Sequence, residues 1–131
     1  HLNQKGNHHN KKRVFFLGYK DIKEVNNLIN NYSKSIFVQM SYSEGQSNSI
    51  LEAMARGSIC VVSQGCNMEK AYNSNAVIIT DEKNISNEIN NLFNKENKYR
   101  DLANNQNLFL EENHSLQKFA DDFHKALSNI I

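Results

Sequence analysis

Four short apolar runs alternate with amphipathic stretches along this chain. Arg13 to Leu17, Ser35 to Met40, Ile59 to Ser63 and Ala76 to Thr80 are rich in Val, Ile and Phe and read as strands. After the first run, Ile22, Val25, Leu28 and Ile29 recur at helical spacing behind Asp21 and Glu24, a pair spaced as a capping box. Ser47 to Arg56 predicts a second helix, with Gly57 placed as its left-handed C-terminal cap. A short helix is expected near Met68 to Tyr72. Three more helical segments are expected near Ile85–Asn94, Lys98–Glu111 and Leu116–Ile130. The last carries Leu116, Phe119, Ala120, Phe123, Leu127 and Ile130 as one stripe behind a Ser115 cap.

Strands separated by helices call for right-handed crossovers and a parallel, doubly wound sheet. Three of the four runs are continuously apolar, as befits strands covered on both faces. The expected fold is therefore α/β, with a parallel sheet of about four strands and a helical C-terminus. Residues 1–12 are polar, lack a period and read as a leader or truncated loop; His8-His9 belongs to that leader. Residues 13–131 read as one domain, and a partial one, because four strands are few for a sheet of this kind.

Composition narrows the classes. The 131 residues are 39% hydrophobic and 22% charged, within the globular range. A net charge of +1 argues against nucleic acid as a partner. No apolar run approaches the length of a transmembrane helix, and no signal peptide is visible. Cys60 in an apolar run and Cys66 in a polar loop do not make a disulfide framework, so a reduced, cytoplasmic setting is expected. Proline is absent and asparagine abundant, mostly on the polar faces of periodic segments, which reads as drift on solvated surfaces.

The candidate chemistry lies in Glu44-Gly45-Gln46-Ser47-Asn48-Ser49-Ile50-Leu51-Glu52, between the second apolar run and the second helix. Parallel α/β sheets bind ligands at the carboxyl ends of their strands, where a new helix offers free N–H groups to an anion. A carboxylate on each side of such an anion hole suits a ligand with a phosphate in the middle and hydroxyls at both ends, as in a sugar nucleotide. Glu52 precedes Ala53-Met54-Ala55, and a carboxylate pressed among small apolar neighbours calls for a partner. A receiver-type signalling domain shares this element order but needs an aspartate at a central strand end. Those ends read Gly18, Ser41 and Ser63, and Asp81 comes too late.

The run Ser41-x-x-Glu44-Gly45-x-x-Asn48-x-x-Leu51-Glu52-Ala53-Met54-Ala55-x-Gly57 resembles the nucleotide-sugar signature of the family 4 retaining glycosyltransferases. Val14 to Gly18, Ile59 to Ser63 and a glycine loop leading to Glu69 agree in order, so the likeness runs from about Val14 to about Thr80. The resemblance implies a Rossmann-like domain, the donor-binding lobe of a two-lobe GT-B fold. It places Glu44 in the catalytic site, bonded to hydroxyls of the donor sugar, and Glu52 on the ribose diol. The backbone at Gly45, Gln46, Ser47, Asn48 and Ser49 would meet the diphosphate, and Tyr19 and Lys20 the base. The implied donor is a UDP- or GDP-linked sugar, and the acceptor a glycan or glycolipid of bacterial surface assembly, with no metal and no separate cofactor. The chain departs from the pattern at Gly65-Cys66, where a glycine pair is expected, and at Ser47 and Ile59, where proline is common. The Arg and Lys that neutralise the diphosphate, and the N-terminal acceptor lobe, have no counterpart in the sequence. The chain is thus expected to be inactive alone, or else a nucleotide-sugar-binding module without catalysis.

Overall fold

A computed structural model describes residues 15–32, 34–45 and 47–130. Its centre is a parallel sheet of three strands, β1 (Ile36–Gln39), β2 (Ile59–Val62) and β3 (Ile78–Ile79), in the order β1-β2-β3. Ile36 pairs with Ile59, Gln39 with Val62, and Val61 with Ile78. The helices are α1 (Ile22–Asn30), α2 (Asn48–Ala55), α3 (Glu69–Asn73), α4 (Ile85–Asn94), α5 (Glu96–His114) and α6 (Leu116–Ile130), with a single 3-10 turn at Gln64–Cys66.

The described residues show three of the four expected strands. Arg13 and Val14 lie outside the described residues, and Phe15 to Leu17 form no strand. Phe15 is 72% and Phe16 97% exposed. A β-rich composition becomes a strand only when a neighbouring strand completes its ladder, and residues 15–17 have no such neighbour among the described residues.

The middle strand is buried throughout, and its residues alternate between two apolar clusters. Cys60 and Val62 pack with Ile50, Ala53 and Met54 of α2, Ala71 of α3 and Phe109 of α5. Ile59 and Val61 pack on the other face with Leu92 of α4 and Tyr99 and Leu102 of α5. Both faces are therefore covered, which is why this run shows no polar alternation.

Local signals set the helix ends. The Asp21 side chain accepts from the Glu24 N–H at 2.9 Å, and the Glu24 side chain accepts from the Asp21 N–H at 3.0 Å, completing the capping box. Gly57 takes φ +85° after α2; its N–H donates to the Met54 carbonyl and that of Ser58 to the Ala53 carbonyl. These two bonds are a Schellman motif, and they aim the chain directly into β2. The Ser115 hydroxyl accepts from the Lys118 N–H at 3.1 Å at the start of α6. Beyond that cap, the α6 stripe stays exposed: Phe119 and Phe123 stack on each other, 6.1 Å between ring centroids, with 67% and 57% exposure. No described helix is long and apolar enough to cross a membrane.

One buried polar side chain was invisible in the pattern. The Gln106 side chain, on α5, lies beside the start of β2: its Oε1 accepts from the Cys60 N–H at 3.0 Å and its Nε2 donates to the Ser58 carbonyl at 2.8 Å. The short β3 pairs only with Val61 and Val62, so Gln106 completes the backbone bonding where β3 does not reach. Burial also pushes the Cys60 thiol from 9.0 up to about 12. A folded chain that keeps a proton the unfolded chain releases loses stability as pH rises. The stability contribution is complete below pH 9.0 and declines as pH climbs toward about 12. Urea midpoints falling across that window, and falling less steeply for Cys60→Ala, check it.

Candidate functional site

The candidate segment begins where β1 ends. Bonds to main-chain carbonyls tie this end of β1 to the turn after β2: the Gln39 carbonyl accepts from the Ser63 N–H at 3.0 Å and from Cys66 Sγ at 3.3 Å. The Ser63 hydroxyl donates to the Ser41 carbonyl. The Glu44 N–H donates to the Gly65 carbonyl at 2.8 Å. Gly65 is glycine for lack of room: a Cβ there would lie 2.3 Å from the carbonyl oxygens of Ser41 and Tyr42. The departure from a glycine pair thus still leaves a glycine where the two loops meet.

Glu44 is exposed, yet its carboxylate is held. One oxygen accepts from Gln39 Nε2 at 2.7 Å and the other from the Ser41 hydroxyl. Gly45 is also exposed, and a Cβ added there meets nothing within 4 Å. The fold therefore leaves space open above Gly45. Gln46 lies outside the described residues.

Ser47 is buried and occupies the N-cap position of α2, with extended dihedrals of φ −80° and ψ 113°. Serine at this position usually accepts from an N–H of the first turn. Here it makes no such bond; its hydroxyl donates instead to Gln39 Oε1 at 3.3 Å. Among the described residues, no side chain caps the first turn of α2, where Asn48 and Ser49 are exposed. Uncapped first-turn amides and the positive end of the helix dipole favour a bound anion.

Glu52 stands one turn further along α2. Its side chain is 55% exposed, not pressed among Ala53, Met54 and Ala55, and it pairs with Arg56 Nη2 at 3.4 Å. The expected partner exists, but it is an i,i+4 neighbour on the same helix face. Tyr19 is 94% exposed beyond Gly18, whose φ is +65°. Lys20 pairs with Glu24 at 3.2 Å. No described contact brings Tyr19 or Lys20 to Glu44 or Glu52.

An open cleft of about 1030 Å³ lies at the carboxyl ends of all three strands. Its walls come from Met40 to Tyr42, Ser63 to Gly65 and Ile79 to Asn84, with Glu88 of α4. Glu44 and Glu52 are not among the lining residues, so the segment borders the cleft through Ser41 and Tyr42. Tyr42 is 93% exposed, and its hydroxyl donates to Glu82 Oε1 at 3.4 Å. Away from this end, partial burial and then the charge of Lys70 lower the His114 pKa, and its ring lies 5.5 Å from that of Phe109.

Sequence reasoning missed Gln39, which reads as one more residue of an apolar run. Its signal was a lone amide at the last position of a strand, followed by a loop rich in hydroxyls. A family model described as glycosyl transferases group 1 matches residues 2–109. No curated protein and no solved structure matches the chain.

Proposed function

The chain belongs to the group 1 glycosyltransferases, and from that footing we propose that it is the donor-binding part of a retaining enzyme of the two-lobe GT-B type. The donor is a UDP- or GDP-linked sugar and the acceptor a glycan or glycolipid. The observation that carries this reading is the uncapped first turn of α2, set between the held carboxylate of Glu44 and the exposed carboxylate of Glu52.

In this reading Glu44 accepts from hydroxyls of the donor sugar, already aligned by Gln39 and Ser41. The amides from Gln46 to Ser49 receive the diphosphate, and the dipole of α2 adds about 0.3–1 kcal/mol. Glu52 turns from Arg56 to the ribose diol; the exposed ion pair it gives up is worth about 0.5 kcal/mol or less. Tyr19 and Lys20 border the base. Transfer proceeds by departure of the nucleoside diphosphate and attack from the same face. That departure needs cations on the leaving group, and we assign this role to no residue here. The chain then binds donor in the cytoplasm and depends on an acceptor-binding lobe for transfer, without metal or further cofactor.

Titration with UDP-glucose and GDP-mannose tests the site. A charge-assisted bond contributes about 1.5–3 kcal/mol, so Glu52→Ala should weaken donor binding roughly ten- to a hundredfold. Unchanged affinity in that variant removes Glu52 from the site. Donor binding that persists with no hydrolysis or transfer, even beside an acceptor lobe, identifies a binding module instead.

A further inference from the structure

Glu44 and Ser47 of the candidate segment, and Ser41 just before it, converge on Gln39. Its Nε2 donates to Glu44 Oε2 at 2.7 Å and to the Ser41 hydroxyl at 3.3 Å, while its Oε1 accepts from the Ser47 hydroxyl at 3.3 Å. The residue is itself fixed, since it pairs with Val62 in the sheet and its carbonyl accepts from Ser63 and Cys66. We infer that Gln39 is a positioning residue of the donor site. It aligns the Glu44 carboxylate and withholds the Ser47 hydroxyl from the first turn of α2. This rests on the donor-site reading above.

The chemistry needs an amide. Glu44 requires a donor and the Ser47 hydroxyl requires an acceptor, and a side-chain amide presents one of each. Leucine presents neither. Without the Oε1 acceptor, the Ser47 hydroxyl is free to turn and accept from the Ser49 or Ile50 N–H, as N-cap serines ordinarily do. That self-capping occupies an amide that an incoming phosphate would use. Gln39 therefore acts on both halves of the ligand, on the sugar through Glu44 and on the diphosphate through Ser47.

The experiment uses the whole chain, with UDP-glucose and UDP as probes and GDP-mannose and GDP as the second pair. Wild type, Glu44→Ala, Gln39→Leu and Gln39→Leu/Ser47→Ala are titrated, and the Ser49 and Ile50 amide protons are followed by NMR without ligand. Gln39→Met replaces Gln39→Leu if the latter does not fold. Gln39→Leu should move one of the two amide protons downfield. It should weaken UDP-glucose by about tenfold, the size of one charge-assisted bond, and weaken UDP less. Adding Ser47→Ala should reverse the shift and restore UDP binding, but not the preference for the sugar-bearing probe. Wild-type amide shifts and affinities in Gln39→Leu, with UDP-glucose weakened by Glu44→Ala, would overturn the role of Gln39 and leave the donor site standing. The expected shifts with no probe binding to wild type would remove the donor site, and with it the purpose of the hold.

Discussion

Gly65→Ala should unfold more readily than wild type and lose donor binding in the same step. The added Cβ lies 2.3 Å from the Ser41 and Tyr42 carbonyl oxygens and 2.4 Å from the Tyr42 carbonyl carbon. All three are backbone atoms, so no side chain can swing away to make room. The loops must part by on the order of one ångström, a degree of overpacking that typically costs about 1–3 kcal/mol. Parting them strains the bond from the Glu44 N–H to the Gly65 carbonyl and the bond from the Ser63 hydroxyl to the Ser41 carbonyl. Glu44 travels with that loop, so sugar recognition falls along with stability. Gly45→Ala is the comparison: a Cβ there touches nothing, and the melting temperature should stay near wild type. Equal unfolding midpoints for Gly65→Ala and wild type would refute the account of the two loops.

Gln106→Met should be the most destabilising of the substitutions considered. The side chain is 1% exposed, and methionine keeps its approximate volume while removing both polar atoms. The Cys60 N–H then loses its partner within the core, and the Ser58 carbonyl keeps only a weak contact from Cys60 Sγ at 3.7 Å. A buried group left unsatisfied costs about 1–3 kcal/mol, so the pair together should cost about 2–6 kcal/mol. Urea unfolding reads this directly, with the slope unchanged and the midpoint lowered. A midpoint for Gln106→Met within experimental error of wild type would show that the strand start does not depend on this side chain.

Much of the fold was legible because its signals are local. Asp21 and Glu24 sit three residues apart and cap the helix they predict. Gly57 ends α2 where a left-handed residue was needed, and α4 and α6 have the expected bounds. The first expected run forms no strand over its described part because pairing is not local: Phe15 to Leu17 have strand composition but no ladder among the described residues. Gln106 failed for a related reason. It stands in the polar run Asn104-Asn105-Gln106-Asn107, where three neighbours look solvated and nothing marks the one that turns inward. Its targets, Ser58 and Cys60, are more than forty positions earlier in the chain.

The site divides the same way. Glu44, Ser47 and Glu52 stood out because their spacing places a loop and a helix start after an apolar run. What orders them did not. The signal at Gln39, a lone amide at a strand end before a loop rich in hydroxyls, does not say whether that amide meets solvent or three side chains. Likewise Gly65 gives no hint in its own neighbourhood that two carbonyls of a distant loop are waiting above it.

The exposed stripe of α6 has a thermodynamic consequence. Ser115 adopts an extended conformation at its start, and the helix beyond has no buried residue. The apolar clusters that stabilise the sheet end with α5. Opening of α6 therefore exposes little that the core had hidden, and it proceeds without the rest of the molecule melting. Two tiers of cooperativity are expected: a sheet-centred unit that unfolds as a whole, and helix α6, whose amides should exchange with solvent long before that unit does.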